Sequence, residues 1–225
     1  IMALENTIAG SIIPNYALID ANDLHIVGEY YLNIHHHLMG LENQDLSDVE
    51  EVLSHPMALL QCKEFFRNHK NIKLVEDADT AAVAKRISEQ QLKNVAAIAP
   101  KIAADIYGLT IIEDEIQTIK ENATRFVIVQ TKPSAIKNKE INKATIKFQL
   151  DHKRGSLAAI LNVLSDCKMS LTKIQSLPVI ETPWKYAFFV DVTFDTIQNY
   201  EKAIAIITIM AEEFKVLGTY KSGRE

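Results

Sequence analysis

Asn122-Ala123-Thr124-Arg125-Phe126 sets a hydroxyl beside a guanidinium. The planar fork of Arg125 suits a carboxylate, which it can clamp through two charge-assisted hydrogen bonds. The Thr124 hydroxyl can hydrogen-bond an oxygen leaving a substrate, or donate its proton to it. Help of that kind is worth roughly 10²–10⁴-fold in rate. Threonine is a weak acid, so hydrogen bonding and positioning matter more than full proton transfer. Taken alone, the segment reads as the start of a strand. Asn6, Thr7, Ser54, His55 and Thr80 place further short polar groups near expected strand ends and helix starts. Ligands of open α/β sheets bind there. Helices beginning near Ser54 and Thr80 would turn N–H groups and a positive dipole end toward a carboxylate. Asp79 reads as a helix cap, and Ser54 as a cap or a site residue.

Other constellations carry less. Consecutive side chains on a strand point to opposite faces, so His35-His36-His37 cannot converge on one ion, and no metal is expected. Cys62 sits among apolar neighbours with no adjacent base, which argues against a nucleophile. With Cys167 it forms no Cys-x-x-Cys pair, so reduced thiols in a cytoplasmic protein are the simple reading. Lys and Arg total 24 against 29 Asp and Glu, a net charge of −5. A mildly acidic chain without a basic block has no footprint for nucleic acid. No apolar run approaches the about 20 residues that span a bilayer, and no signal peptide is visible. The chain opens at Ile1 on an apolar stretch resembling an internal strand, which points to sequence upstream.

These groups need a scaffold, and 225 residues suffice for one large domain or two modest ones. Strands are expected at 1–4, 24–38, 49–53, 73–76, 95–99 and 126–129. Residues 10–20 read as a turn and helical segment interrupted by Pro14. Pro56 starts one helix, Asp79 caps another, and a third runs from Pro100 to Tyr107 with Gly108 just past its end. Alternating strands and helices argue for an α/β domain with a largely parallel sheet. The polar, lysine-rich stretch 132–143 reads as a linker. Beyond it, Ile146, Phe148 and Leu150 alternate with polar residues as a half-buried strand. Leu157, Ile160, Leu161 and Leu164 mark an amphipathic helix. Strands at 171–177 and 184–192 follow, then a helical stripe from Ala203 to Phe214 and a last strand at 215–220. The order is βαββαβ, the ferredoxin-like arrangement.

That closing unit resembles an ACT domain, a small fold that binds amino acids at subunit interfaces. Arg154-Gly155-Ser156-Leu157, Leu171 to Pro178, Trp184 to Asp191 and Leu217-Gly218-Thr219-Tyr220 carry the likeness, which is specifically to the ACT domain of prephenate dehydratases. The residues before the linker agree. Glu5-Asn6-Thr7, Ser54-His55-Pro56, Gln61-Cys62, Asp79-Thr80-Ala81, Ala103-Ala104, Tyr107-Gly108-Leu109 and Asn122 to Phe126 match that family's motifs in order. The resemblance covers essentially the whole chain.

The resemblance implies a two-lobed, periplasmic-binding-protein-like catalytic domain over residues 1–131, lacking its N-terminal part because the chain begins at the family's Glu-Asn-Ser/Thr motif. A linker at 132–143 and an ACT regulatory domain at 144–225 follow. The implied activity is the decarboxylating dehydration of prephenate to phenylpyruvate in phenylalanine synthesis. Aromatisation drives it, so no cofactor is required. Thr124 and Arg125 are the implied catalytic residues. Asn6, Thr7, Ser54, His55, Thr80 and Phe126 would bind substrate, with Phe126 packing beneath the site. Gly155, Ser156, Leu157, Gln175, Ser176 and Pro178 would bind phenylalanine as a feedback inhibitor, in a homodimer or homotetramer built through both domains. The family's Glu-Ser-Arg-Pro reads Gln175-Ser176-Leu177-Pro178 here, which removes two charged side chains from that motif. Arogenate as substrate, a non-catalytic amino-acid sensor and an upstream chorismate mutase domain remain alternatives.

Overall fold

In a computed structural model the chain is described over residues 1–132, 140–151, 153–180 and 182–224, so most of the expected linker lies outside the described residues. Two compact units emerge: Ile1–Asn6, Gly10–Leu32 and Thr124–Glu225 form one, and Thr7–Ala9 with Asn33–Ala123 the other. No helix among the described residues is long and apolar enough to cross a membrane.

The second unit is a sheet with helices on both faces. Its strands are β4 (His37–Gly40), β5 (Glu51–Ser54), β6 (Lys73–Glu76), β7 (Val95–Ala99) and β8 (Thr110–Glu113), in the order β6-β5-β7-β4-β8. The parallel sheet expected from the sequence is confined to β6, β5 and β7, because β4 runs antiparallel to both β7 and β8. On β7, Ala96 and Ile98 face α2 (Pro56–Gln61) and α3 (Lys63–Phe66), while Ala97 and Ala99 face α4 (Thr80–Gln90) and α5 (Lys101–Tyr107). A strand covered on both faces reads as a continuous apolar run, which is how Val95–Ala99 reads. Local chemistry sets the helix ends. Asp79 accepts the Ala82 N–H at 2.7 Å as the cap of α4, and Gly108, at φ +63°, closes α5 in the left-handed region.

The first unit holds two four-stranded sheets. One is β2-β1-β9-β3, from β1 (Met2–Asn6), β2 (Gly10–Ser11), β3 (His25–Asn33) and β9 (Ala123–Gln130), with α1 (Ile13–Ala21) beside it. Pro14 opens α1 rather than interrupting it, since a proline in the first turn gives up no needed N–H. The single strand expected over 24–38 divides into β3 and β4, which belong to different sheets.

The other sheet is β11-β12-β10-β13, from β10 (Lys143–Gln149), β11 (Met169–Pro178), β12 (Tyr186–Phe194) and β13 (Glu213–Tyr220), all neighbours antiparallel. Helices α6 (Ser156–Asp166) and α7 (Ile197–Met210) pack Ile160, Leu164, Ala203 and Ile207 onto one face. Phe214, expected on the second helix, lies on β13, and Trp184 stands in a turn at φ +68° before β12 begins.

The expectation of a half-buried β10 is corrected: every residue of the strand is buried. Its polar face meets the rest of the unit. Lys147 pairs with Asp20 at 2.7 Å and Lys143 with Glu29 at 2.9 Å, while Leu4, Tyr16, Ile19, Ile26 and Val127 pack with Ala187, Phe189, Leu217 and Tyr220. A Cβ on Gly218 would fall 2.0 Å from the Ile26 carbonyl oxygen, so β13 touches β3 backbone to backbone.

Candidate active site

In the first unit, Asn6 and Thr124 face each other across the antiparallel pair β1·β9. The Asn6 side-chain amide donates to the Thr124 hydroxyl oxygen at 3.1 Å. That bond occupies an acceptor position on the hydroxyl and leaves its proton free to donate elsewhere. Thr124 is half-buried, and Phe126 lies on the same face of β9 by strand alternation.

Arg125 points the other way and departs from the clamp expected of it. Its side chain is 1% exposed and its guanidinium is already engaged by protein groups. Nε donates to Glu29 at 2.6 Å, Nη1 to Asp191, and Nη2 to the Tyr220 hydroxyl at 2.9 Å. The charge is fixed firmly. Burial opposes it, but Asp191, Tyr220 and Glu29 outweigh burial and raise the pKa far above the ordinary value. Burial also works against the Glu29 carboxylate, yet Arg125 and Lys143 hold its pKa below the usual range. Lys143 shares that carboxylate, and its own pKa is lowered by burial and by the nearby Arg125 charge.

In the second unit, α2, α4 and α5 all begin where the parallel strands β5, β6 and β7 end. Ser54 is neither cap nor exposed ligand: it is fully buried on β5 and its hydroxyl donates to the Ile98 carbonyl at 2.7 Å. His55 is the cap instead, its Nδ1 accepting the Met57 N–H at 3.2 Å. Thr80 is the first residue of α4. The Thr7 hydroxyl accepts the Ala123 N–H at 2.9 Å, and the Thr7 N–H donates to the Ala123 carbonyl at 2.9 Å.

The same unit gathers a cluster that residue-by-residue reading of the sequence missed. Gln61 Oε1 accepts from Asn122 Nδ2 at 3.0 Å and lies 2.8 Å from His36 Nε2. Burial lowers the His36 pKa, so the ring is neutral and its Nε2–H is the donor to Gln61. His36 Nδ1 has no hydrogen-bond partner among the described residues. The Gln61-Cys62 motif was the available signal; nothing local tied it to position 122. The neighbouring rings diverge, His35 to Glu115 at 3.0 Å and His37 to Asp114 at 2.5 Å. Cys62 is buried, which pushes its thiol pKa up to about 12, far from a nucleophile's.

Of the residues expected to bind an effector, Gly155 opens α6 at φ +84°, which favours glycine. The Ser156 hydroxyl donates to the Asp151 and Lys153 carbonyls at 3.0 and 2.8 Å. Ser156 and Leu157 line a cavity of about 370 Å³ with Asp151, Trp184 and Phe188. Gln175, Ser176 and Pro178, on β11, do not line it.

A family model described as prephenate dehydratase matches residues 1–134. Arogenate dehydratase 2 of Petunia hybrida is 35% identical over 239 residues, covering 99% of this chain and 60% of that protein. A solved prephenate dehydratase from Staphylococcus aureus is 25% identical with a TM-score of 0.84, over 98% of this chain and 81% of that one. A prephenate dehydratase from Arthrobacter aurescens, solved in complex with L-Phe, is 24% identical with a TM-score of 0.82, over 99% and 74%. The chain spans 58–60% of the length of the curated relatives it matches. Because the family model takes in more than half of its residues, the chain belongs to the prephenate dehydratase family.

Proposed function

We propose that the protein containing this chain converts prephenate to phenylpyruvate, with Thr124 assisting departure of the ring hydroxyl. The observation that carries the reading is the Asn6–Thr124 hydrogen bond, because it engages the hydroxyl as an acceptor and leaves its proton to donate, within the stretch that the family model matches. In the reaction the bond from ring to carboxylate breaks and releases carbon dioxide. Its electron pair completes the aromatic ring. The ring C–O bond breaks with the oxygen keeping its pair, and the departing hydroxide takes up a proton. A hydrogen bond from Thr124 to that oxygen stabilises charge where it develops. No cofactor enters this balance.

The finer architecture belongs to the same reading: a periplasmic-binding-protein-like catalytic part over 1–131, a linker over 132–143 and a ferredoxin-like ACT domain over 144–225. The strand order β11-β12-β10-β13, with both helices on one face, supports the last. Phenylalanine is the proposed effector. An apolar wall of Leu157, Trp184 and Phe188 beside the polar Asp151 and Ser156 suits an aromatic amino acid. We place the protein in the cytoplasm as a homodimer or homotetramer.

The test uses the full-length protein with prephenate, following phenylpyruvate, and with arogenate, following phenylalanine. Turnover of prephenate, and a loss of about 10²–10⁴-fold in Thr124→Ala, are expected. A wild type inert toward both substrates, or a fully active Thr124→Ala, refutes the mechanism. Absence of a calorimetric signal with phenylalanine, together with unchanged turnover in its presence, refutes the regulation.

A further inference from the structure

Four residues close a ring inside the first unit, one from each of four strands. Arg125 on β9 donates to Asp191 on β12 and to the hydroxyl of Tyr220 on β13. The Thr145 hydroxyl, on β10, donates to the other Asp191 oxygen at 2.6 Å and lies 2.6 Å from the Tyr220 hydroxyl. Each hydroxyl has one proton, which fixes the directions. Thr145 spends its proton on Asp191, so Tyr220 donates to Thr145 and accepts from Arg125. Both hydroxyl protons of the ring are assigned, and all four residues are buried. Glu29 on β3 adds a second carboxylate to Arg125, and Lys143 balances its charge.

Three strand pairings are irregular beside this ring. The β1·β9 register shifts opposite Arg125, between Ala3 and Glu5. The β10·β13 register shifts beside Thr145. The β11·β12 register shifts at Asp191, between Leu171 and Lys173. Bulges re-aim side chains and are concentrated next to active sites. Here the extra residues are Leu4, Leu217 and Thr172, each on the strand paired with the one that carries Arg125, Thr145 or Asp191.

We propose that Arg125 is a positioning residue rather than a substrate ligand: the ring it forms with Asp191, Thr145 and Tyr220 fixes β9, and with it the Thr124 hydroxyl, to the sheet β11-β12-β10-β13. The inference rests on the reading of Thr124 as the residue that touches the reacting oxygen. A buried ion cluster bonded at Nε and at both Nη atoms of Arg125, with both hydroxyl protons assigned, has few alternative geometries, so a shift of β12 or β13 is passed to Arg125 and not absorbed. Thr124 is its covalent neighbour, and misplacement of a reacting group by about 1 Å can cost about 10²-fold. A phenylalanine-induced change in the four-stranded sheet thereby reaches the hydroxyl without passing through a substrate contact.

The test compares Tyr220→Phe, Asp191→Asn and Thr124→Ala in the full-length protein, with kcat and KM for prephenate and half-inhibition by phenylalanine. Tyr220→Phe keeps shape and removes only the hydroxyl from the ring, so it decides the matter even where Asp191→Asn does not fold. A fall in kcat of about 10-fold in Tyr220→Phe and about 100-fold in Asp191→Asn, KM within 2-fold, and a half-inhibition concentration raised at least about 5-fold are expected. Wild-type kcat and phenylalanine response in Tyr220→Phe overturn the proposal. So does a raised KM with unchanged kcat, which would make Arg125 a substrate clamp. Full activity of Thr124→Ala refutes the reading of Thr124 whatever Tyr220→Phe does; loss in Thr124→Ala with an unaffected Tyr220→Phe refutes the positioning alone.

Discussion

Removing the Asn6 side chain tests the most exposed link in the chemistry. The bond to Thr124 is a neutral, half-buried hydrogen bond of 3.1 Å at the end of the β1·β9 pairing. Such bonds contribute about 0.5–1.5 kcal/mol net. If that energy is spent holding the Thr124 hydroxyl in its reactive orientation, Asn6→Ala should lower kcat by about 2- to 12-fold, since about 1.36 kcal/mol is tenfold in rate. Asn6→Asp sharpens the sign. A carboxylate there cannot donate, so it would accept the Thr124 proton and turn it away from the leaving oxygen. Its kcat should therefore fall further than that of Asn6→Ala and approach that of Thr124→Ala. Steady-state rates of phenylpyruvate formation measure all three, and thermal unfolding controls for fold. The loss of one such bond lowers the unfolding midpoint by about 1–6 °C, at about 2–4 °C per kcal/mol. An Asn6→Asp variant as fast as Asn6→Ala, or a rise in KM with kcat untouched, would falsify the orientation argument.

Gly218→Ala introduces a Cβ 2.0 Å from the Ile26 carbonyl oxygen, a backbone atom that cannot swing aside. Overpacking of this kind costs about 1–3 kcal/mol, so the unfolding midpoint should drop by about 2–12 °C; an unchanged midpoint would mean that β13 and β3 do not meet there. Glu29 gives a pH signature. Its folded pKa is lowered from 4.5, so its contribution is fully present above about pH 4.5 and is lost as pH falls through the lower, folded value. Glu29→Gln should be destabilised at pH 7 by about 3–5 kcal/mol, as expected when one member of a buried ion cluster is removed. In urea unfolding the gap to the wild type should close as the pH drops below about 4.5; a constant or widening gap contradicts the assignment.

What the sequence made legible is what local physics decides. Val95–Ala99, Lys73–Glu76, the Asp79 cap and the Gly108 stop are set by apolar runs and backbone chemistry within a few residues. The division of 24–38 between two sheets was hidden, because both halves have strand propensity and only pairing partners far along the chain separate them. The polar face of β10 misled for a related reason. Lys143, Thr145, Lys147 and Gln149 alternate with apolar residues, as in a strand open to water, yet each is matched by a group distant in sequence: Glu29, Asp191, Asp20 and Glu213. A charge in the sequence does not say whether its solvent will be water or another chain segment. Arg125 makes the same point at the site. Its guanidinium does clamp carboxylates, as its chemistry suggested, but they are those of Glu29 and Asp191. Strand alternation already held the correction: if Thr124 faces one side of β9, Arg125 must face the other. A motif's adjacent residues therefore need not share a task, and in a strand they are the pair least able to.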